Sequence, residues 1–185
     1  MTAPAEPVPY LASPQTLSRL LGVPVDDQRM LDALAAASGR FRGQVHHSVH
    51  LVEGDEVWLD GDGSTELFLP AAPVLARPQV WVDDRELDPS EFEWSRKGIL
   101  RRRAGWPDRL NCVRVLYDHG YAQIPADVQE VVIDQARVIH EITPGVQTVQ
   151  AGGESVTYGV TASTGVTAQW SIAVEAYRVG KGDQA

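Results

Sequence analysis

Three short stretches hold the residue types that could do chemistry. HHSVH places His46, His47 and His50 within five positions, a density of imidazole that could hold zinc. Read as a strand, however, it sends His46 and His50 to one face and His47 to the other, with no cysteine or carboxylate at ligand spacing, so no metal is expected. YDHGY, 117–121, sets Asp118 and His119 between Tyr117 and Tyr121. That mixture could act as an acid–base pair, or it could be a polar corner before Gly120. DGDGS at 60–64 resembles the opening of a calcium loop, yet the twelfth position counted from Asp60 is Ala71 where a glutamate is required, which leaves a hairpin turn. Cys112 is the single cysteine, so no internal disulfide or multi-cysteine zinc site can form, and its setting in NCVRVLY reads as a strand with a buried, inert thiol. GxSxG, HExxH, phosphate-loop and GxGxxG patterns do not occur. A hydrolase or metal enzyme built on Asp118, His119 and HHSVH is the catalytic alternative; the expectation is no catalytic residue and no cofactor.

A fourth cluster is basic. Arg96, Lys97, Arg101, Arg102 and Arg103 surround Gly98 and could neutralise several phosphates together. Against this, strand alternation sends neighbouring arginines to opposite faces. The formal charge of −9, from 25 acidic and 16 basic residues, also supplies carboxylates to pair with them. Two readings stay open: ion pairs within or between chains, and a nucleic-acid-binding module using Arg96–Arg103 with Arg101, Arg102 and Arg103 as the contacts.

The elements that must carry these residues change character along the chain. Residues 1–12 hold three prolines and few core formers, so they read as a flexible arm. In SPQTLSRLLGVP, Ser13 suits an N-cap, Pro14 the first helical position, and Gly22 with Pro24 the stop. A second helix is predicted over about 26–42 from the stripe Met30, Leu31, Leu34, Ala37 and Phe41, giving an N-terminal helical segment at 13–45. Alternation of period two then takes over. Val49, Leu51, Val57, Leu59, Leu67 and Leu69, with turns at Gly54, 60–63 and Asp83–Asp84, then EFEWSRKG, GILRRR and NCVRVLYDHGY, predict about six strands. They form an antiparallel β insertion over 46–121. Pro125 and Asp127 open a central helix within 122–144, with Val128, Val131, Val132, Gln135, Ile139 and Ile142 at helical spacing, widened by Ile133 and Val138. This helix is expected to be buried against the N-terminal ones. The segment 145–185 is Gly/Thr/Val-rich, an extended arm closed by a short helix in which Trp170, Val174 and Tyr177 follow a Thr167 cap. The fold class is therefore α+β: a small helical bundle, an antiparallel β-sheet insertion and an extended C-terminal arm. No apolar run reaches the roughly 18 residues of a membrane span, and MTAPAEPVPY lacks the pattern of a signal peptide, so a reducing cytoplasm is expected.

Taken in order, the helix pair, LFLPAAPV before VWVDD, GILRRRAGWP, VRVLYDHGYAQIPADVQEVVIDQA and GVQTVQAGGESVTY resemble the head-to-tail adaptor, or head-completion, proteins of long-tailed bacteriophages. The strongest single piece is HGY-x-x-IP-x-DV, which the resemblance makes an architectural corner fixing the β insertion on the central helix. It implies a structural virion protein of the neck, assembled in the bacterial host cytoplasm. Copies would form a homo-oligomeric ring of about twelve between the portal protein and a downstream connector or tail terminator. DNA would pass through its channel without specific binding. In such proteins C-terminal segments reach the portal or a neighbouring subunit, which makes Val156, Tyr158, Trp170, Val174, Tyr177 and Arg178 the candidate partner-binding residues.

Overall fold

The computed structural model describes residues 10–141, 148–151, 154–157 and 167–179. In chain order the elements are α1 (Pro14–Leu21), α2 (Gln28–Val45), β1 (Val52–Gly61), β2 (Glu66–Phe68), β3 (Gln79–Val82), β4 (Arg85–Glu86), β5 (Glu93–Trp94), β6 (Ile99–Arg101), β7 (Arg109–His119), α3 (Ala126–Glu141), β8 (Thr148–Ala151), β9 (Glu154–Thr157) and α4 (Ala168–Tyr177). They fall into two compact units, 1–44 with 124–176, and 45–123 with 177–185. The fold is α+β.

The first unit is helical. Pro14 opens α1 as predicted, but the Ser13 hydroxyl bonds Gln15 Oε1 instead of capping the backbone. Gly22 (φ 69°) closes the helix, its N–H donating to Ser18 O. The fold begins earlier than the proline-rich start suggested: Leu11 and Ala12 are buried, and the Leu11 N–H donates to Ser38 Oγ at 2.9 Å. Helix α2 starts two residues after the expected 26 because Asp27 caps it, its Oδ1 accepting from Met30 N–H at 2.8 Å. It runs on to Val45, past Gly39 and Gly43, since Phe41 and Val45 are fully buried. Burial holds a helix together where two glycines weaken it by roughly 1 kcal/mol each. In α3 the stripe Val128, Val131, Val132, Ile133, Gln135 and Ala136 is buried, while Ile142 lies outside the described residues. Where only an extended arm was expected, β8 and β9 pair as an antiparallel hairpin from Thr148↔Thr157 to Ala151↔Glu154.

The second unit is two antiparallel sheets. The larger has the order β1-β7-β3-β4 and the smaller β2-β6-β5. Their inward residues form one core: Val80, Val82, Val113, Val115 and Tyr117 from the larger sheet, Leu67 and Leu100 from the smaller, with Phe92 and Trp106. The strand order places β7 between β1 and β3, so its odd-numbered residues from Val113 to Tyr117 are buried while Arg114 and Leu116 alternate outward.

Two sequence expectations are corrected here. HHSVH is not a strand: α2 ends at Val45 just before it, His46 leaves the helix in the left-handed region (φ 65°), and only His50 makes a bridge, to Tyr121. Gly54 is not a turn. β1 passes straight through it, and Gly54 (φ 64°) absorbs one extra residue between the pairs Val52↔His119 and Asp55↔Tyr117. A glycine in this conformation takes up a bulge without the strain another residue would feel. The strands in EFEWSRKG and GILRRR are shorter than expected because Ser95–Gly98 turns back on itself and pairing stops at Arg101.

Candidate assembly interface

The corner at 117–121 is held from both sides within the β unit. Asp118 Oδ1 accepts from the Gly54 N–H at 2.7 Å, which pins the bulge. Leu51 N–H donates to Tyr121 O, Tyr121 N–H to Val49 O, Gly120 N–H to Pro73 O and Leu75 N–H to Asp118 O. Asp118 and His119 thus serve different structures, the one holding the Gly54 N–H and the other Asp55. His119 is 2% exposed, stacks beside Tyr117 (centroids 4.9 Å) and reaches Asp55 Oδ2 through Nε2 at 3.0 Å.

The ring nitrogens of His119 decide its charge. Nδ1 is buried with no hydrogen-bond partner, so a neutral ring donating from Nε2 leaves one lone pair unmet, whereas an imidazolium would leave a charged, buried N–H unpaired, which costs more. Burial accordingly pushes its pKa below 6.5, outweighing the upward pull of Asp55. The unfolded chain therefore binds a proton that the folded chain refuses, and stability falls as pH drops through and below 6.5. Urea midpoints measured from pH 8 to pH 5 should decline, and His119→Gln should flatten that slope; an unchanged slope would remove His119 as its source. The Tyr117 hydroxyl moves the other way, raised above its ordinary value first by burial and then by Asp55.

His47 and the DGDGS carboxylates are occupied by backbone. His47 faces Ser48 O through Nδ1 and Tyr177 O through Nε2, both at 2.7 Å. Asp60 Oδ1 accepts from Asn111 N–H and Asp62 Oδ1 from Ser64 N–H, so the DGDGS carboxylates shape turns. Among the described residues no group of three His, Cys, Asp or Glu could hold a metal ion. Cys112 is buried and unbridged. No helix among the described residues is long and apolar enough to cross a membrane.

Alternation sorts the arginines as expected. Arg101 points outward and pairs with its cross-strand neighbour Glu66 at 2.5 Å. Arg102 turns inward, its guanidinium donating to Gly105 O at 3.1 Å, lying 3.8 Å from Glu91 and 6.0 Å over the Trp106 ring. Glu91 also takes both guanidinium hydrogen bonds of Arg85, which hold its carboxyl down at about 2. Arg103, with Arg96 and Lys97 in the β5–β6 turn, is exposed and makes no ion pair among the described residues. Three unpaired cations, two of them on one turn, grip duplex DNA weakly. Binding to it should vanish by about 200 mM salt, and a retention signal above that concentration would revive a nucleic-acid role.

The C-terminal candidates divide. Thr167 Oγ1 caps α4 by accepting from Trp170 N–H at 3.1 Å. Trp170 is 1% exposed: its ring meets Phe41 edge-on at 5.3 Å and its indole N–H donates to Gln44 Oε1 at 2.7 Å. Val174 is buried as well. In this chain Trp170 and Val174 anchor α4 to its own helical unit, so they could meet a partner only by leaving that seat. Tyr177 packs on Tyr121 in the β unit (centroids 5.8 Å), and Arg178 follows it, half-buried. Val156 stands in β9 opposite Val149, and Tyr158 lies outside the described residues.

A surface that the sequence reading passed over lies on the outer face of the four-stranded sheet. Trp58 of β1, Arg114 of β7, Trp81 of β3 and Glu86 of β4 stand in one row across the strands. The Arg114 guanidinium lies 4.0 Å over the Trp81 ring and 5.8 Å from Trp58, and its Nη1 reaches Glu56 at 3.3 Å. Trp58 is still half exposed. The triplets Val57-Trp58-Leu59, Val80-Trp81-Val82 and Val113-Arg114-Val115 carried the signal, because two inward apolar residues force the middle one outward. Ile172, 69% exposed on α4, is one of several further apolar residues open to solvent, with Leu110 at 78%.

No protein-family model matches the chain and no curated protein matches it in sequence. Solved structures do share its fold. A chain from the neck of a native gene transfer agent (GTA) particle, computed with C12 symmetry, aligns over 100% of this chain and 98% of its own at 18% identity and TM-score 0.57. Another, from the neck of the empty particle with C6 symmetry, aligns over 100% and 96% at 17% identity and TM-score 0.59. In its fold, then, this sequence is similar to chains from the neck of a GTA particle.

Proposed function

We propose that the protein is a structural subunit of the neck of a tailed, phage-like particle: a head-to-tail adaptor whose copies form a ring between portal and tail. The observation that carries this is the end-to-end likeness to neck chains solved with twelve-fold and six-fold symmetry. A net charge of −9 agrees with this reading, since a conduit for DNA works best when its wall does not hold phosphate.

In this reading the ring sits in the virion neck, is assembled in the host cytoplasm, and contacts the portal on one side and a connector or tail terminator on the other. The arm from 145 to 178 makes the portal contact, through Val156, Tyr158, Tyr177 and Arg178, with Ile172 added and with Trp170 and Val174 first holding α4 in place. Native mass spectrometry of the chain with and without the particle's portal protein tests it. A portal-bound ring of about twelve copies is expected, and a strictly monomeric chain in the presence of portal overturns it. Deleting 146–185 should abolish capture by portal in a pull-down; undiminished capture would move the contact elsewhere.

A further inference from the structure

We propose that the outer face carrying Trp58, Arg114 and Trp81 is one half of the contact between adjacent copies, and that its occupant is the Arg96–Lys97 turn of the next copy. This deepens the ring reading and rests on it. A ring closes through a head-to-tail contact, which needs two different surfaces on each subunit. The β unit supplies two: the core lies between its sheets, so the outer face of β1-β7-β3-β4 and the β5–β6 turn belong to different sheets.

Their chemistry is complementary. Arg114 stands between the two indoles and is paired with Glu56, leaving half of Trp58 open. Glu86, next to Trp81 in register, is an exposed carboxylate with no ion pair among the described residues, and so is Asp84 in the adjoining turn. The open face therefore offers an indole for a cation to stack on and two carboxylates for it to pair with. Arg96 and Lys97 are adjacent exposed cations on a turn and make no ion pair among the described residues.

The test uses two full-length variants. Trp58→Ser with Glu86→Lys disables the face; Arg96→Glu with Lys97→Glu disables the turn. All substituted side chains are exposed, and thermal midpoints should match the wild type. Each variant alone should self-associate at least roughly tenfold more weakly than wild type in sedimentation equilibrium. Mixed, they should form a one-to-one pair that grows no further, because only one face and one turn remain intact; native mass spectrometry reads that directly. Rings that persist undiminished in both variants overturn the pairing and leave the ring reading standing. A turn variant that loses only DNA binding while its rings persist assigns Arg96 and Lys97 to nucleic acid and also overturns it. A wild-type chain that stays monomeric up to about 1 mM, with portal or without, removes the ring reading and this contact with it.

Discussion

Gly120→Ala is expected to unfold the β unit or lower its melting temperature by more than about 10 °C. Gly120 sits at φ +89°, where an L side chain is strained, and an added Cβ would stand 2.2 Å from His50 O and 2.7 Å from His50 C. Those are backbone atoms, which cannot swing aside. Relief would require pulling 49–51 away from Tyr121 and losing the two hydrogen bonds that stitch them. Strain plus lost pairing comes to about 4 kcal/mol or more, against a total stability of roughly 5–15 kcal/mol. Gly39→Ala is the control. It lies in α2 with nothing within 4 Å of the new Cβ, and should stabilise by up to about 1 kcal/mol. Equal midpoints for the two variants in urea would mean that the corner yields freely and does not organise the sheet.

Trp170→Ala should cost about 3 kcal/mol and release α4. The indole is the largest buried side chain of that helix, its edge contact with Phe41 and its bond to Gln44 both vanish, and Gln44 Oε1 loses its donor. Amide hydrogen exchange separates the outcomes. Protection in Ala168–Tyr177 should collapse while the interior of α3 stays protected. Retained protection with lost portal capture would instead make Trp170 a partner anchor, as its large apolar area alone suggested.

How far the chain could be read in advance follows from the range of each interaction. Helices were legible because caps and stops are local: Pro14, Gly22 and Thr167 act where the sequence places them. The end of α2 was not, because Val45 is held by burial that no local pattern announces. Gly54 looked like a turn since glycine marks both turns and bulges, and the choice was made by Asp118, sixty-four residues away. The aromatic row escaped for the same reason. Each triplet gave its orientation, but that Trp58 and Trp81 flank Arg114 depends on β7 entering between two strands that precede it in the chain. The C-terminal anchors were recognised as apolar, while their partner, Phe41, lay 129 positions upstream.

Strand β1 has a consequence for how such a chain survives at high copy number. Ten residues long, it is the rim of its sheet, and among the described strands nothing pairs with its outer side. A flat ribbon of that length would recruit its own kind sideways into fibrils while subunits accumulate. The kink at Gly54 and the carboxylates of Glu53, Glu56 and Asp60 break and repel such stacking, so the chain can await its place in the particle without coagulating.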